Sequence, residues 1–157
     1  MQTDRSLLRH IVATLAYRGG KATRDVPQGF SEFRIGPSSR TPGQILAHIG
    51  DLLDWAYWLA RGEHVWKESP PQTWEADVER FHAGLVGLDQ YLASDAPLGF
   101  SAEQIFQGPI ADAFTHIGQI AMLRRLASGP VKAENYFKAE IVVGRVGREQ
   151  AKAVTEF

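Results

Sequence analysis

Apolar residues recur at helical spacing in four stretches of the chain, and glycines and prolines mark where each helix begins and ends. The first helix starts near Arg5; Gly19–Gly20 is expected to weaken or bend it, and Pro27 stops it. The second begins at Thr41, where the run TPGQ predicts a capping box with proline at the first helical position. It is expected to end at Gly62, since glycine favours a helix end.

The third and fourth helices carry the strongest apolar patterns. The third follows Pro70–Pro71, and its buried seam consists of Val78, Phe81, Leu85, Leu88 and Leu92. The fourth is predicted over Gly108–Pro130, with Pro109 at the first helical position and Gly129 at its end. Its apolar residues form two stripes, so we expect it to be buried on nearly every side.

Four helices with short to moderate connections predict an all-α fold, a four-helix bundle formed by one domain over residues 1–157. The connection before the fourth helix is expected to hold one short helical turn at Ser101–Gln104. Val131–Phe157 differs from the rest and reads as an extended segment, or a short helix, packed over the bundle.

Composition narrows the classes of partner. The net charge is −1, with 17 basic and 18 acidic residues that are scattered, which argues against nucleic acid. No cysteine is present, which excludes a disulfide framework, a thiolate zinc site and a nucleophilic thiol. The apolar run Ile11–Tyr17 is too short to span a bilayer. We therefore expect a cytoplasmic protein that does not act on a membrane.

Asp112 and His116 lie four residues apart on an apolar stripe of the fourth helix. Residues at this spacing share one face, and a carboxylate oxygen and an imidazole nitrogen both bind a zinc-like ion at about 2.0–2.2 Å. The pair therefore indicates a metal site. The alternative is a metal-free buried pair in which the imidazolium neutralises the carboxylate.

His48 is a third candidate ligand, at the edge of the apolar face of the second helix, with Trp55 two turns further on. Asp51 is placed to accept a hydrogen bond from the His48 imidazole, as acidic residues near ligating histidines often do. Because sites in helix bundles form from inward-facing side chains, His48, Asp112 and His116 are expected to meet at one end of the core. Four other histidine and aspartate residues are not expected to bind metal. We expect His10, His64 and Asp54 to be solvated, and His82 lies beside the seam of the third helix.

Three segments carry a resemblance to a known family: TPGQILAHIGDLLDWA, ADAFTHIGQIAMLRRLASGPV and ENYFKAEIVVGRVG. Their order resembles the DinB/YfiT-like family of metalloenzymes, from the first helix through Gly147. The resemblance implies an up-down-down-up bundle with one metal, bound by His48 and by two residues of the later helix, the second of them His116. The commonest family pattern has histidine where this chain has Asp112, but the mycothiol-dependent maleylpyruvate isomerase branch is similar in using a carboxylate there.

Two imidazoles and one carboxylate leave an open coordination position, which is typical of a catalytic site. Zinc or nickel suits these ligands best, and manganese or iron also fits. The resemblance favours a thiol-dependent S-transferase or isomerase that uses a low-molecular-weight thiol and a small-molecule substrate. A metal-dependent hydrolase stays open as an alternative.

Residues outside the trio are assigned on the same basis. If the C-terminal segment covers the site, Asn135, Tyr136 and Arg145 are candidates for contacts with the substrate or thiol, although packing for Tyr136 and a surface charge for Arg145 are the favoured explanations. Met122 and Arg125 could form a subunit contact, and the resemblance implies a homodimer. A non-catalytic bundle that serves binding or dimerisation is therefore the rival class.

Overall fold

The computed structural model describes residues 2–157, with side chains described from Asp4 onward, and this part of the chain is helical without any strand. The prediction of an all-α bundle is confirmed. The helices are α1 (Gln2–Thr23), α2 (Pro42–Ala60), α3 (Trp74–Ala93), α4 (Ala102–Ile105) and α5 (Ala111–Leu126), with short 3-10 turns at Phe30–Glu32 and Tyr136–Lys138.

The four long helices surround one core. Helix α1 packs mainly against α3 and α5, and α2 packs mainly against the same two helices, so α1 and α2 are diagonal to each other. The core between them includes Leu15, Leu53, Phe81, Leu85 and Ile120, all fully buried. This arrangement places α2 beside α5, the two helices that carry the candidate ligands. The up-down-down-up direction of the helices stays a prediction.

The start of α2 is the local prediction that the structure confirms most directly. The Thr41 hydroxyl accepts from the Gln44 backbone N–H, and the Gln44 side chain accepts from the Thr41 N–H, which completes the capping box. Gly62 follows the end of the helix with a positive φ of 90°. His48 therefore lies in the second turn of a helix with a fixed start.

Helix α1 continues through its glycine pair, Gly19–Gly20, to Thr23, so the pair does not interrupt the helix. The glycine at position 19 serves packing: a Cβ there would lie 2.4 Å from Cζ of Phe81 on α3. Its missing side chain lets α1 and α3 approach closely, and this tertiary contact outweighs the low helical propensity of glycine.

The predicted boundaries of the fourth helix are wrong. Ser101 caps α4, and the turn Phe106–Ile110 continues as a π-helical segment into α5, so the helical run starts before Gly108 and Pro109 lies inside it. Proline has no N–H to donate, and its ring clashes with the preceding turn, so it does not fit regular α-helical hydrogen bonding. This accounts for the wider turn. The run ends at Leu126, and Ser128 rather than Gly129 adopts the left-handed conformation.

The two apolar stripes of the fourth helix predicted that it is buried on nearly every side. Helix α5 is not buried in this way. Met122 and Leu126 are 58% and 52% exposed, whereas Ile117 and Ile120 face the core. Part of the apolar surface of α5 therefore faces solvent.

The segment after α5 lies across the bundle without regular structure, in agreement with the expected extended cover. Glu134 contacts Tyr17 and Lys21 of α1, and the backbone oxygen of Val146 lies 3.2 Å from Nδ1 of His82 on α3. The segment therefore covers α1 and α3. In the described part of the chain, no helix has the length and apolar character required to cross a membrane.

Candidate metal centre

His48 of α2 and the pair Asp112 and His116 of α5 converge at the contact between the two helices. One donor atom from each residue lies within 4.8 Å of the other two, so the three form a group that could hold a metal ion. The two imidazole rings meet edge to face, with centroids 4.7 Å apart. The structure thus brings together the three side chains that the sequence had singled out.

The spacing of the donor atoms bears on the two explanations of this cluster, a shared ion and a hydrogen-bonded pair. Oδ2 of Asp112 lies 3.6 Å from Nε2 of His48 and 3.4 Å from Nε2 of His116. Both distances exceed the usual length of an imidazole–carboxylate hydrogen bond. Two ligands at about 2.0–2.2 Å from a tetrahedral ion are separated by about 3.3–3.6 Å. The two Asp112 distances are therefore compatible with a shared ion.

Asp112 does not lie in the core, contrary to the expectation from its apolar stripe. Its side chain is 46% exposed, while that of His116 is 13% exposed. A half-exposed carboxylate keeps much of its hydration, so no partner is required to offset desolvation. The case for a metal rests on convergence of the donors and not on burial of a charge. Partial exposure also leaves the cluster accessible from solvent.

Gln119 is a functional candidate that sequence reasoning missed. Its Oε1 lies 2.8 Å from Nδ1 of His116, one turn earlier on α5. An amide oxygen there accepts the Nδ1–H, and this fixes the tautomer in which Nε2 presents its lone pair towards Asp112. Ligating histidines are usually oriented by such an acceptor. The signal available in the sequence was the i, i+3 spacing of the two residues.

His48 is held in its neutral form by its surroundings. Burial lowers the pKa of its imidazole below the usual 6.5, and the nearby His116 and Arg40 lower it further, against the opposing charge of Asp112. The ring of Trp66 packs edge to face against it at 5.8 Å. Because only neutral imidazole binds a metal, this environment suits a ligand.

Asp51 does not act on the His48 imidazole, and its proposed role is wrong. Its Oδ1 accepts from Arg80 of α3 at 2.7 Å, and its Oδ2 accepts from the backbone N–H of Ser69. Asp54, expected to be solvated, is exposed but also pairs with Arg80, at 2.6 Å. Asp51 therefore fastens to α2 the loop that carries Trp66.

Trp55 belongs to the aromatic cover of the site but does not adjoin the three donors. Its ring packs against Trp66 at 5.7 Å and against the exposed His64 at 5.5 Å. Its buried Nε1 has no hydrogen-bond partner among the described residues. Trp55 thus supports the residue that contacts His48.

The C-terminal candidates lie elsewhere, and the structure does not bring them to the trio. Asn135 caps the turn that follows it, Tyr136 packs on Tyr17 and under the guanidinium of Arg18, and Arg145 pairs with Glu140. The condition for their role, a segment that covers the site, is not met because this segment covers α1 and α3. Neither His10, which is exposed, nor His82, buried on α3, joins the group, as expected.

A shallow groove of about 470 Å³ adjoins the cluster on the α5 side. Its polar lining includes His116, Gln119 and Arg40. The apolar lining consists of Ile35, Ile45, Met122, Leu123 and Leu126. A ligand in this groove would contact both the candidate metal centre and an apolar surface.

Comparison with known proteins adds no relative: no family model matches the chain, and no curated protein or solved structure matches it either. The site is therefore described by its own geometry.

Proposed function

We propose that this protein is a metal-dependent enzyme whose ion is bound by His48, Asp112 and His116. The observation that carries the proposal is the convergence of three donors from two distant segments within 4.8 Å. Two features support it: the Asp112 distances match a tetrahedral ligand set, and Gln119 orients His116. With three protein ligands, one coordination position stays available to a reactant.

A divalent ion in this site would act as a Lewis acid that lowers the pKa of a bound water or small-molecule thiol. The chain's own residues would do the rest. Imidazole binds a metal only in its neutral form, so a ligand set of two imidazoles and one carboxylate would offset one of the two positive charges of the ion. Trp66 packs edge to face against the His48 ring. Zinc and nickel suit the donors best, and manganese and iron remain compatible.

Of the two reaction classes, we propose thiol-dependent transfer or isomerisation ahead of hydrolysis. The support is the resemblance of the segments around His48 and Asp112–His116 to the DinB/YfiT-like family, of which we propose the chain is a distant member. The chain has no cysteine, so the thiol would come from a small molecule. A metal-dependent hydrolase uses the same ligand set and is the second candidate.

The test begins with metal content. We would measure bound zinc, nickel, manganese and iron by elemental analysis of purified protein, then titrate metal-free protein with each ion. One equivalent is expected for the wild type, with a large loss of affinity in His48→Ala and His116→Ala. His10→Ala is the matched control, because His10 is exposed on α1 and lies outside the trio.

The loaded protein would then be screened for thiol transfer with several low-molecular-weight thiols and, in parallel, for ester and amide hydrolysis. Thiol-dependent turnover that is lost in His116→Ala supports the first reaction class, and thiol-independent hydrolysis supports the second. Failure of every ion to bind at one equivalent would overturn the metal site itself.

A further inference from the structure

The groove beside the trio has an apolar lining that is unusually exposed. Ile35, Met122 and Leu126 are each more than half exposed, although large apolar side chains on a helical bundle normally pack inward. All three line the same groove, together with the buried Ile45 and Leu123. A concave apolar surface that touches a candidate catalytic centre is the usual setting of a ligand site.

One cation faces this groove. Arg40 is exposed, lines the groove together with His116 and Gln119, and makes no ion pair with any residue that the structure describes. By contrast, Arg80 and Arg9 are held by carboxylates of neighbouring helices. The guanidinium of Arg40 is therefore available to a ligand, and its planar donors suit a carboxylate.

With a divalent ion bound, the end of the groove next to the metal centre would carry a net positive charge. Two neutral imidazoles and one carboxylate around a divalent ion leave a net charge of about +1, to which Arg40 adds another. Gln119 uses its oxygen on His116, so its amide nitrogen can still donate. An anionic head group would meet complementary partners at this end, and an apolar body would meet the lining further along.

We propose that the groove binds the substrate, a monoanionic carboxylate with an apolar chain or ring, with its carboxylate held near Arg40 and its body along Ile45, Met122 and Leu126. This inference rests on the proposed metal site and names the substrate class for it. Charge complementarity at Arg40 sets the direction of the ligand, and the apolar lining sets its character.

The experiment is isothermal titration of the zinc-loaded protein, freed of unbound zinc, with three probes. Octanoate carries both features of the ligand, octanamide lacks the charge, and acetate lacks the apolar chain. Octanoate is expected to bind at one equivalent, and each of the other probes at least about tenfold more weakly, the loss typical of a charge-assisted hydrogen bond or of several buried methylenes.

Two variants locate the probe. Arg40→Gln is expected to weaken octanoate about tenfold while leaving octanamide unchanged. Leu126→Gln should weaken octanoate and octanamide together. Arg125→Gln is the matched control for Arg40→Gln. Arg125 is also an exposed arginine, but it is on α5 and does not line this groove. None of the three should reduce zinc content, because none supplies a donor atom.

The outcomes separate this inference from the metal site. Stoichiometric zinc with no octanoate binding, or with binding that ignores Arg40→Gln, overturns the substrate class and leaves the metal proposal standing. Absence of zinc binding overturns the metal proposal first and this inference with it. A concentration-dependent dimer in sedimentation that Leu126→Gln dissociates, together with no octanoate binding, would show that a second copy covers the groove.

Discussion

Two clusters of polar side chains in this molecule each contain a carboxylate, but the two carboxylates differ in burial and in the contacts they make. In the first, which we call the tail anchor (Tyr17, Lys21, Glu134 and Glu156), Glu134 is fully buried and accepts from Lys21 at 2.6 Å and from Tyr17 at 2.5 Å. In the candidate metal centre, Asp112 is half-exposed and no closer than 3.4 Å to its imidazole neighbours. One cluster is internally satisfied, and the other holds three donors at the spacing of a shared ligand.

The contrast separates a stabilising network from a binding site. Burial makes each hydrogen bond of the tail anchor costly to remove, because the remaining partner keeps its desolvation penalty. The donors of the metal centre are partly solvated and make few bonds with one another, so removing one should affect the fold only slightly. We therefore expect stability to depend on the first cluster and metal content on the second.

The largest expected effect is on the tail anchor. Glu134→Ala leaves the ammonium of Lys21 and the hydroxyl of Tyr17 without their main buried acceptor, and should lower the free energy of unfolding by about 3 kcal/mol. Urea denaturation measures this change, and metal content should not fall in the folded protein. A loss below about 0.5 kcal/mol would show that the buried pair contributes little to stability.

Removal of a metal ligand should have the opposite effect: the stability of the metal-free protein is kept and metal binding is reduced. Asp112→Asn is expected to keep the stability of the metal-free protein within about 0.5 kcal/mol, as for other partly exposed polar positions. It should nevertheless abolish most of the thermal stabilisation by added zinc, which reaches about 2.7 kcal/mol at a hundredfold excess over Kd. Thermal unfolding with and without zinc checks both. If zinc stabilises the variant as much as the wild type, Asp112 is not a ligand.

A smaller effect is expected at the acceptor that orients His116. Gln119→Leu removes the partner of Nδ1 and should weaken zinc binding about tenfold, the lower end for such orienting residues because Gln119 is exposed. Gln119→Glu restores an acceptor and is expected to retain the affinity. Equal zinc affinities in both variants and the wild type would contradict an orienting role.

The smallest effect concerns His82, a buried histidine of the bundle that is not near the metal centre. Burial lowers its pKa below 6.5, against the raising effect of its bond to Val146, so the unfolded chain takes up a proton before the folded one. The free energy of unfolding of metal-free protein should fall as pH drops below about 6.5, by at most about 1.4 kcal/mol per unit for each proton. His48 contributes in the same direction. Comparison of His82→Asn with the wild type between pH 7 and 5 isolates the His82 share, and an unchanged pH profile would contradict it.

Local chemistry made the elements of the fold predictable. The capping box at Thr41 and the seam of α3 depend on residues within one or two turns, and both appear as expected. The π-helical segment did not follow from the sequence, because Pro109 suits a first helical position as well as a widened turn. Gly19 likewise reads as a helix breaker until its contact with Phe81 is known.

The same distinction between local sequence signals and tertiary contacts applies to the candidate site. His48, Asp112 and His116 were found from spacing and resemblance, and the i, i+3 partner Gln119 could have been found from spacing too. Contacts between segments that are distant in the sequence could not be predicted. Arg80 of α3 pairs with Asp51, and Trp66 contacts His48 from the loop after α2. The C-terminal candidates failed for this reason, since nothing local indicates which side of the bundle the chain covers.

The π-helical segment Phe106–Ile110 also sets the rotational phase of everything that follows it. Each residue advances an α-helix by about 100°, so one residue more or less in this turn would swing Asp112 and His116 around the axis of α5 by roughly that angle. His48 would then face an apolar part of α5 while the core-facing residues moved towards solvent. A single deletion between 106 and 110 would therefore separate the three donors without altering any of them.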